Sequence, residues 1–309
     1  IFKEVSGKSF KVNNVLDGID EAVSKNVGTG LITMYLLGFG SIGSRHYEVL
    51  SSLGCEVSVV SSRRLAIDNS YIDLNSAMNT LLPEYVVISN NTDQHIETLL
   101  KVRKSGFLGP VLIEKPLSVK RVDLISGSFD NTYVAYNMRF NPLIKRLKEE
   151  ILEEKVISVV AYAGQYLPLW HEGQDYRSSY SSIKSKGGGV LRDFSHELDF
   201  INWLFGNWKS VSGIGGKFSS LDIDAEDTFS IMLETDLCKS VLLHLNYLDK
   251  TPRRSLVINT DLHTYEIDFI NKSFQKDEDL KMYNYDKNYS YKLQHEAILD
   301  SNYNDLCTY

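Results

Sequence analysis

Residues 31–43, LITMYLLGFGSIG, decide how this chain is read. A short apolar run ends in Gly38-Phe39-Gly40-Ser41-Ile42-Gly43, a G-x-G-x-x-G loop that follows an expected strand and opens an expected helix. In that context the loop is a dinucleotide fingerprint. Gly38 permits the tight turn, Gly40 lets a pyrophosphate approach the backbone, and Gly43 permits close strand–helix packing. The N–H groups at the helix start, around Ser41 and Ile42, then face the phosphates.

The next strand, 56–60, tests which dinucleotide fits. NAD-binding forms usually place an acidic residue about 20 positions past the glycines, where it bonds the ribose 2′-hydroxyl. The sequence offers Ser61, Ser62, Arg63 and Arg64 instead. Hydroxyls and guanidinium forks suit a 2′-phosphate that a carboxylate would repel. NADP is therefore the expected cofactor, with NAD the alternative if Arg63 and Arg64 are only solvated loop charges.

Further strands at 85–89, 111–113 and 133–136 alternate with helical patterns, the rhythm of a doubly wound parallel sheet. Polar residues follow each of them, at the strand ends where such sheets bind ligands. Asn90, Thr92 and His95 follow the first, Glu114-Lys115-Pro116 the second, and Arg139 the third. Asn90 and Thr92 are candidates to line the cofactor crevice, although capping the next helix suits Thr92 equally. Lys115 beside a cofactor would orient a substrate hydroxyl and stabilise alkoxide charge, whereas Glu-Lys-Pro taken alone is a turn signal. A domain boundary is expected near residue 150, so that residues 31–150 form the dinucleotide-binding domain. Residues 1–30 are an extension with an apolar stripe, Val15 to Val27, at helical spacing.

After residue 155 the rhythm changes. Strands at 156–163, 211–215, 228–234, 240–247, 255–259 and 264–269 have antiparallel lengths and spacing. Residues 151–309 are thus expected to form an α+β domain with an open, mostly antiparallel sheet, one face of it free for a partner. Residues 270–309 are polar and tyrosine-rich with little periodicity. Tyr166, Trp170, His171 and Tyr176 lie in an aromatic loop region. With Arg139 they either line a sugar pocket, rings against the sugar face, or simply pack. The stretch 187–199, GGGVLRDFSHELD, adds Asp193, His196 and Asp199 at i,i+3 spacing. On one helix these fall on a single ridge with Cβ atoms roughly 5–6 Å apart, where the carboxylates would lift the histidine pKa.

Composition narrows the partners. A chain of 309 residues, 43% hydrophobic, has room for two cores. Its net charge of -7 argues against nucleic acid or an anionic membrane surface. Cys55, Cys238 and Cys307 are odd in number and lack metal spacing, which points to a reducing cytoplasmic compartment and no metal. No apolar run approaches the roughly 20 residues of a membrane span.

Five stretches in order resemble the Gfo/Idh/MocA family, the glucose–fructose oxidoreductase and inositol dehydrogenase group. They are GFGSIGSRH at 38–46, NNTDQH at 90–95, EKPLS at 114–118, YNMRFNP at 136–142 and GGGVLRDFSHELD at 187–199. The resemblance implies a Rossmann domain followed by an open-sheet domain, and NAD(P)-dependent oxidation or reduction at a carbon of a sugar, cyclitol or nucleotide sugar. Lys115 matches the lysine of the E-K-P motif and His196 the histidine that takes the alcohol proton. Asp193 is the third catalytic candidate. It stands one position closer to the histidine than the family's usual acid, in a shorter form similar to that of bacterial surface-sugar pathway members. His95 and Glu114 join the fingerprint loop, residues 61–64, Asn90, Thr92 and Lys115 as cofactor-binding candidates, and Asp199 joins the substrate-binding ones. Two other functions remain open at this point, a dinucleotide-dependent sensor without chemistry and a reductase of a non-sugar ring. A homodimer or homotetramer is the expected assembly.

Overall fold

The computed structural model describes residues 32–122, 129–170 and 173–308. The stripe at 15–27 and His171 lie outside the described residues.

The first half forms a seven-stranded sheet from β1 (Thr33–Leu37), β2 (Glu56–Val60), β3 (Ser70–Tyr71), β4 (Tyr85–Ile88), β5 (Val111–Ile113), β6 (Thr132–Val134) and β15 (Cys307–Thr308). Their spatial order is β15-β6-β5-β4-β1-β2-β3, and all pairs are parallel except β15 with β6. This is the Rossmann order, reversing between β1 and β4, with an antiparallel strand added at one edge.

Helices α1 (Ser41–Ser52), α2 (Leu74–Thr80), α3 (His95–Lys104) and α4 (Pro142–Glu150) follow their strands as the periodicity requires. The two-residue period of β1 shows in its core. Met34 and Leu36 pack on one side with Leu50 of α1, and Tyr35 and Leu37 on the other with Ala77 of α2 and Leu99 of α3. Burial on both faces is why these strands read as continuous apolar runs.

The second half builds an eight-stranded sheet from β7 (Val156–Gly164), β8 (Trp208–Gly216), β9 (Thr228–Thr235), β10 (Val241–Asn246), β11 (Arg253–Thr260), β12 (Thr264–Asp268), β13 (Ser273–Lys276) and β14 (Asp279–Met282). The order is β14-β13-β12-β11-β7-β10-β9-β8, antiparallel except for β7 with β10. One face is covered by α4 and by two helices that follow the glycine run, α5 (Val190–Asp193) and α6 (Ser195–Phe205). Val159, Ala161, Leu243 and Leu256 there meet Leu147, Phe200 and Ile201. The opposite face leaves Ile157, Val160, Leu242 and Met232 exposed.

The tail departs from its reading as part of the second domain. Helix α7 (Tyr289–Leu299) and β15 return to the first sheet, where Ile298 and Leu306 enter the same core as Met34 and Leu50. Tyr303 stacks on Tyr133 with centroids 5.2 Å apart. Among the described residues no helix is long and apolar enough to cross a membrane.

Candidate active site

The three fingerprint glycines divide as the motif demands. Gly38 has φ +100°, and a Cβ there would stand 2.6 Å from the Asn90 nitrogen. A Cβ on Gly43 would strike the Gly38 carbonyl oxygen, whereas one on Gly40 would meet nothing within 4 Å. The first and third positions are thus closed by the protein's own backbone, and the second faces open space.

That space belongs to a cleft of about 790 Å³ at the carboxyl ends of β1 and β4, where the strand order reverses. In its wall Asn90 donates from Nδ2 to Thr98 Oγ1 at 2.8 Å, while its buried Oδ1 has no partner among the described residues. A buried amide oxygen left bare beside a glycine loop suits a ligand with hydrogen-bond donors, as a dinucleotide has.

Ser61, Ser62 and Arg63 line the cleft, and the Arg63 guanidinium donates to the Phe39 carbonyl. Arg64 is exposed and not part of the lining. The sequence reading passed over Asp73, which faces the cleft while capping α2 through Ser76 N and Oγ, both at 2.8 Å. Those two bonds hold its carboxyl below the usual range.

Thr92 and His95 are not among the residues lining the cleft. A Cβ on Gly187 would lie 3.5 Å from the Thr92 Cβ. His95 is buried, with Nδ1 3.0 Å from the Pro116 carbonyl and Nε2 3.1 Å from that of Asn90, so one ring joins two strand-end loops. Burial lowers its pKa.

The Glu-Lys-Pro stretch crosses to the second domain. Lys115 Nζ donates to the Asp193 carbonyl oxygen at 2.8 Å. Glu114 accepts from the Lys115 backbone N–H through Oε2 at 3.0 Å and lies 2.8 Å from His46 Nε2 through Oε1.

The glycine run brings that carbonyl within reach. Gly187 and Gly189 have φ +91° and +119°, and side chains there would collide with Val119 and Glu226. The expected single ridge is broken, because Phe194 (φ -97°, ψ 29°) separates α5 from α6 and puts Asp193 and His196 on different helices.

Each carboxylate near the histidine has another partner. Asp193 Oδ2 accepts from Tyr247 Oη at 2.6 Å. Glu197 accepts from Arg254 Nε at 2.5 Å. Asp199 accepts from Arg139 Nε and Nη2 at 2.8 and 2.7 Å.

His196 itself is buried against the Tyr136 ring, edge to face at 5.6 Å, and its Nδ1 has no partner among the described residues. Burial first, then the charges of Lys115 and Arg254, push its pKa well below 6.5. The expected rise is therefore corrected: the acids are engaged elsewhere, and burial and the charges of Lys115 and Arg254 act the other way.

The substrate-binding candidates are mostly occupied. Arg139 spends its fork on Asp199 and also donates to the Leu306 carbonyl at 3.2 Å, so the pair pins the tail to α6. Tyr166 lies under the Lys250 ammonium. Trp170 stacks on Phe194 at 5.3 Å and meets Tyr247 edge-on at 5.8 Å. Tyr176 accepts from the Asp222 N–H at 3.2 Å. Tyr247, missed in the sequence, hydrogen-bonds Asp193, and burial followed by the Asp193 charge raises its phenol far above the ordinary value. Arg254 was missed too, because nothing in a strand pattern marks a residue that reaches a helix 57 positions away.

The fold and the cleft define a Rossmann domain followed by an open-sheet domain, with Lys115 and the Arg139–Asp199 pair among the contacts between them. Residues 144–274 match the model of the GFO/IDH/MocA C-terminal domain, in keeping with the family resemblance of the sequence motifs. Two curated relatives align. One is levoglucosan dehydrogenase of Pseudarthrobacter phenanthrenivorans, 24% identical over 54% of this chain and 44% of its own length. The other is YteT of Bacillus subtilis, 25% identical over 42% and 31%. The chain thus spans less than half the length of the curated relatives it matches. Among solved structures, a levoglucosan dehydrogenase complex with NADH superposes with TM-score 0.73 at 14% identity over 89% of this chain and 91% of that one. An oxidoreductase of Thermotoga maritima gives 0.72 at 17% over 87% and 88%. The WlbA dehydrogenase of Bordetella pertussis with NADH and UDP-GlcNAcA gives 0.70 at 17% over 88% and 89%. These likenesses establish the fold.

Asp199→Ala leaves the Arg139 charge buried without its partner. A loss of about 3–5 kcal/mol in denaturant unfolding is expected. The double variant R139M/D199L should recover much of it; equal loss in both variants would remove the pair from this role.

Proposed function

We propose that this chain is a nicotinamide-dinucleotide-dependent oxidoreductase acting on a CH–OH carbon of a sugar, cyclitol or nucleotide sugar. The observation that carries it is the 2.8 Å bond from Lys115 Nζ to the Asp193 carbonyl, which holds the lysine at the helices bearing His196. A relative named levoglucosan dehydrogenase and structural neighbours described with NADH support the same reading.

Gly38, Gly40, Gly43 and Asn90 would hold the dinucleotide, and the bound nicotinamide supplies the hydride acceptor. His196, neutral because of burial and nearby cations, takes the hydroxyl proton. Lys115, one ammonium proton on Asp193, keeps its others for the substrate oxygen and stabilises alkoxide charge. Asp193, bonded to Tyr247, holds the lysine through its backbone and fixes α5 rather than accepting the substrate proton.

NADP preference belongs to this proposal, supported by Ser61, Ser62 and Arg63 at the cleft. So does self-association through the exposed sheet face around Val160, Leu242 and Met232, as a homodimer or homotetramer.

Replacing His196 or Lys115 by alanine should lower kcat by about 10²–10⁴-fold with dinucleotide affinity kept. Full turnover with a sugar by either variant would sink the mechanism. A depressed histidine pKa means the basic form persists as pH falls, so the acid limb of kcat/KM for the wild type should lie below pH 6.5; a limb above that value contradicts the burial argument. Arg63→Ala should weaken NADPH about tenfold, the worth of ~1.4 kcal/mol of contact, and leave NADH unchanged. Tighter NADH binding by the wild type would reverse the preference. Light scattering at micromolar concentration should show a dimer or tetramer, and a monomer would rule out the self-association.

A further inference from the structure

Behind Glu114 lies a row of buried polar side chains that the proposed chemistry does not use. His46 Nδ1 lies 2.8 Å from His295 Nε2, and His295 Nδ1 lies 3.0 Å from Tyr85 Oη. With the 2.8 Å contact from His46 Nε2 to Glu114 Oε1, four side chains from α1, α7, β4 and the end of β5 form one chain. The two imidazoles are fully buried, Tyr85 is 1% exposed and Glu114 6%.

The proton order follows from counting donors. The hydroxyl of Tyr85 is buried, and His295 Nδ1 is the partner the structure gives it. A buried O–H without an acceptor loses its hydration with no return, so Tyr85 donates and His295 Nδ1 accepts. His295 must then carry its proton on Nε2 and donate to His46 Nδ1. His46 in turn carries its proton on Nε2 and donates to Glu114. Glu114 therefore accepts on both oxygens, from His46 and from the Lys115 N–H, the pattern of a carboxylate rather than an acid.

Burial, reinforced by His46, pushes the His295 pKa well below its ordinary value. Burial, Cys55 and Glu114 raise that of Tyr85. Tyr291 adds its ring edge to His46 at 5.7 Å, with the Arg45 guanidinium over that ring.

We propose that Tyr85, His295 and His46 are positioning residues for Lys115: a one-directional hydrogen-bond chain that holds the Glu114 carboxylate aimed at the Lys115 backbone. The inference rests on the reading of Lys115 as the residue at the reacting oxygen. It gives the tail helix a place in the site although none of its residues lines the cleft, since α7 supplies the central imidazole.

The test uses the full chain labelled with ¹⁵N-histidine and ¹⁵N-lysine, with no substrate. At neutral pH both rings, assigned by their loss in His46→Gln and His295→Gln, should be protonated on Nε2 and bare on Nδ1. Glu114→Gln places an amide where two donors must be accepted. If the amide turns to donate to His46, both rings should reverse to Nδ1–H, a change that packing alone would not produce. Tyr85→Phe, which removes a single oxygen, should shift the Lys115 amide resonance through the chain. Doubly protonated or Nδ1-protonated rings in the wild type overturn the proposal, as does a Lys115 amide unmoved by Tyr85→Phe. Hydride transfer by Lys115→Ala separates the two readings. Full turnover there with the ring order intact removes the catalytic role and leaves the chain; lost turnover without the order removes the chain alone.

Discussion

The buried ion pair between Arg139 and Asp199 ties together three segments that are distant in sequence. Arg139 follows β6, Asp199 lies on α6, and the third guanidinium bond reaches the Leu306 carbonyl just before β15. Side chains only 12% and 6% exposed cannot trade this partner for water, so the geometry is held tightly. Because His196 sits one turn before Asp199 on α6, the pair also fixes where the candidate base stands relative to the first sheet.

Around that anchor the site distributes its charges so that His196 keeps none of the nearby acids. Asp193 is bonded by Tyr247, Glu197 by Arg254 and Asp199 by Arg139, while the charges of Lys115 and Arg254 disfavour the imidazolium. A histidine so placed is neutral by environment. The same device recurs behind the lysine, where Glu114 is held by His46 and the Lys115 N–H. Carboxylates here serve chiefly to position their neighbours.

Five strands of the first sheet were legible because their signals are local, whereas β3 and β15 are two residues each. An apolar run, a glycine loop at fixed offsets and a helical stripe all fall within some 20 residues, and the strand order follows from right-handed crossovers. Six strands of the second sheet were legible from the turn residues between them, whereas β13 and β14 lie in the polar stretch after residue 270 that shows little periodicity. The tail was not, and the reason is specific. Helix α7 buries Ser290, Gln294 and His295, so its inward face is polar and the apolar stripe that marks a helix is interrupted. Likewise the ridge of Asp193, His196 and Asp199 has the right spacing in sequence, but the break at Phe194 depends on packing that no window of sequence contains.

The sequence by itself determined the nature of the two domains, the glycine loop, and Lys115 and His196 as the residues to watch, because these depend on backbone freedom, periodicity and motif order along the chain. Tertiary structure alone decided their partners. Tyr247 meets Asp193 across 54 positions, Arg254 meets Glu197 across 57, and His295 meets His46 across 249. The direction of the His196 pKa shift was settled by burial first and then by the charges of Lys115 and Arg254, which are properties of the folded surroundings and not of the residue's place in the chain.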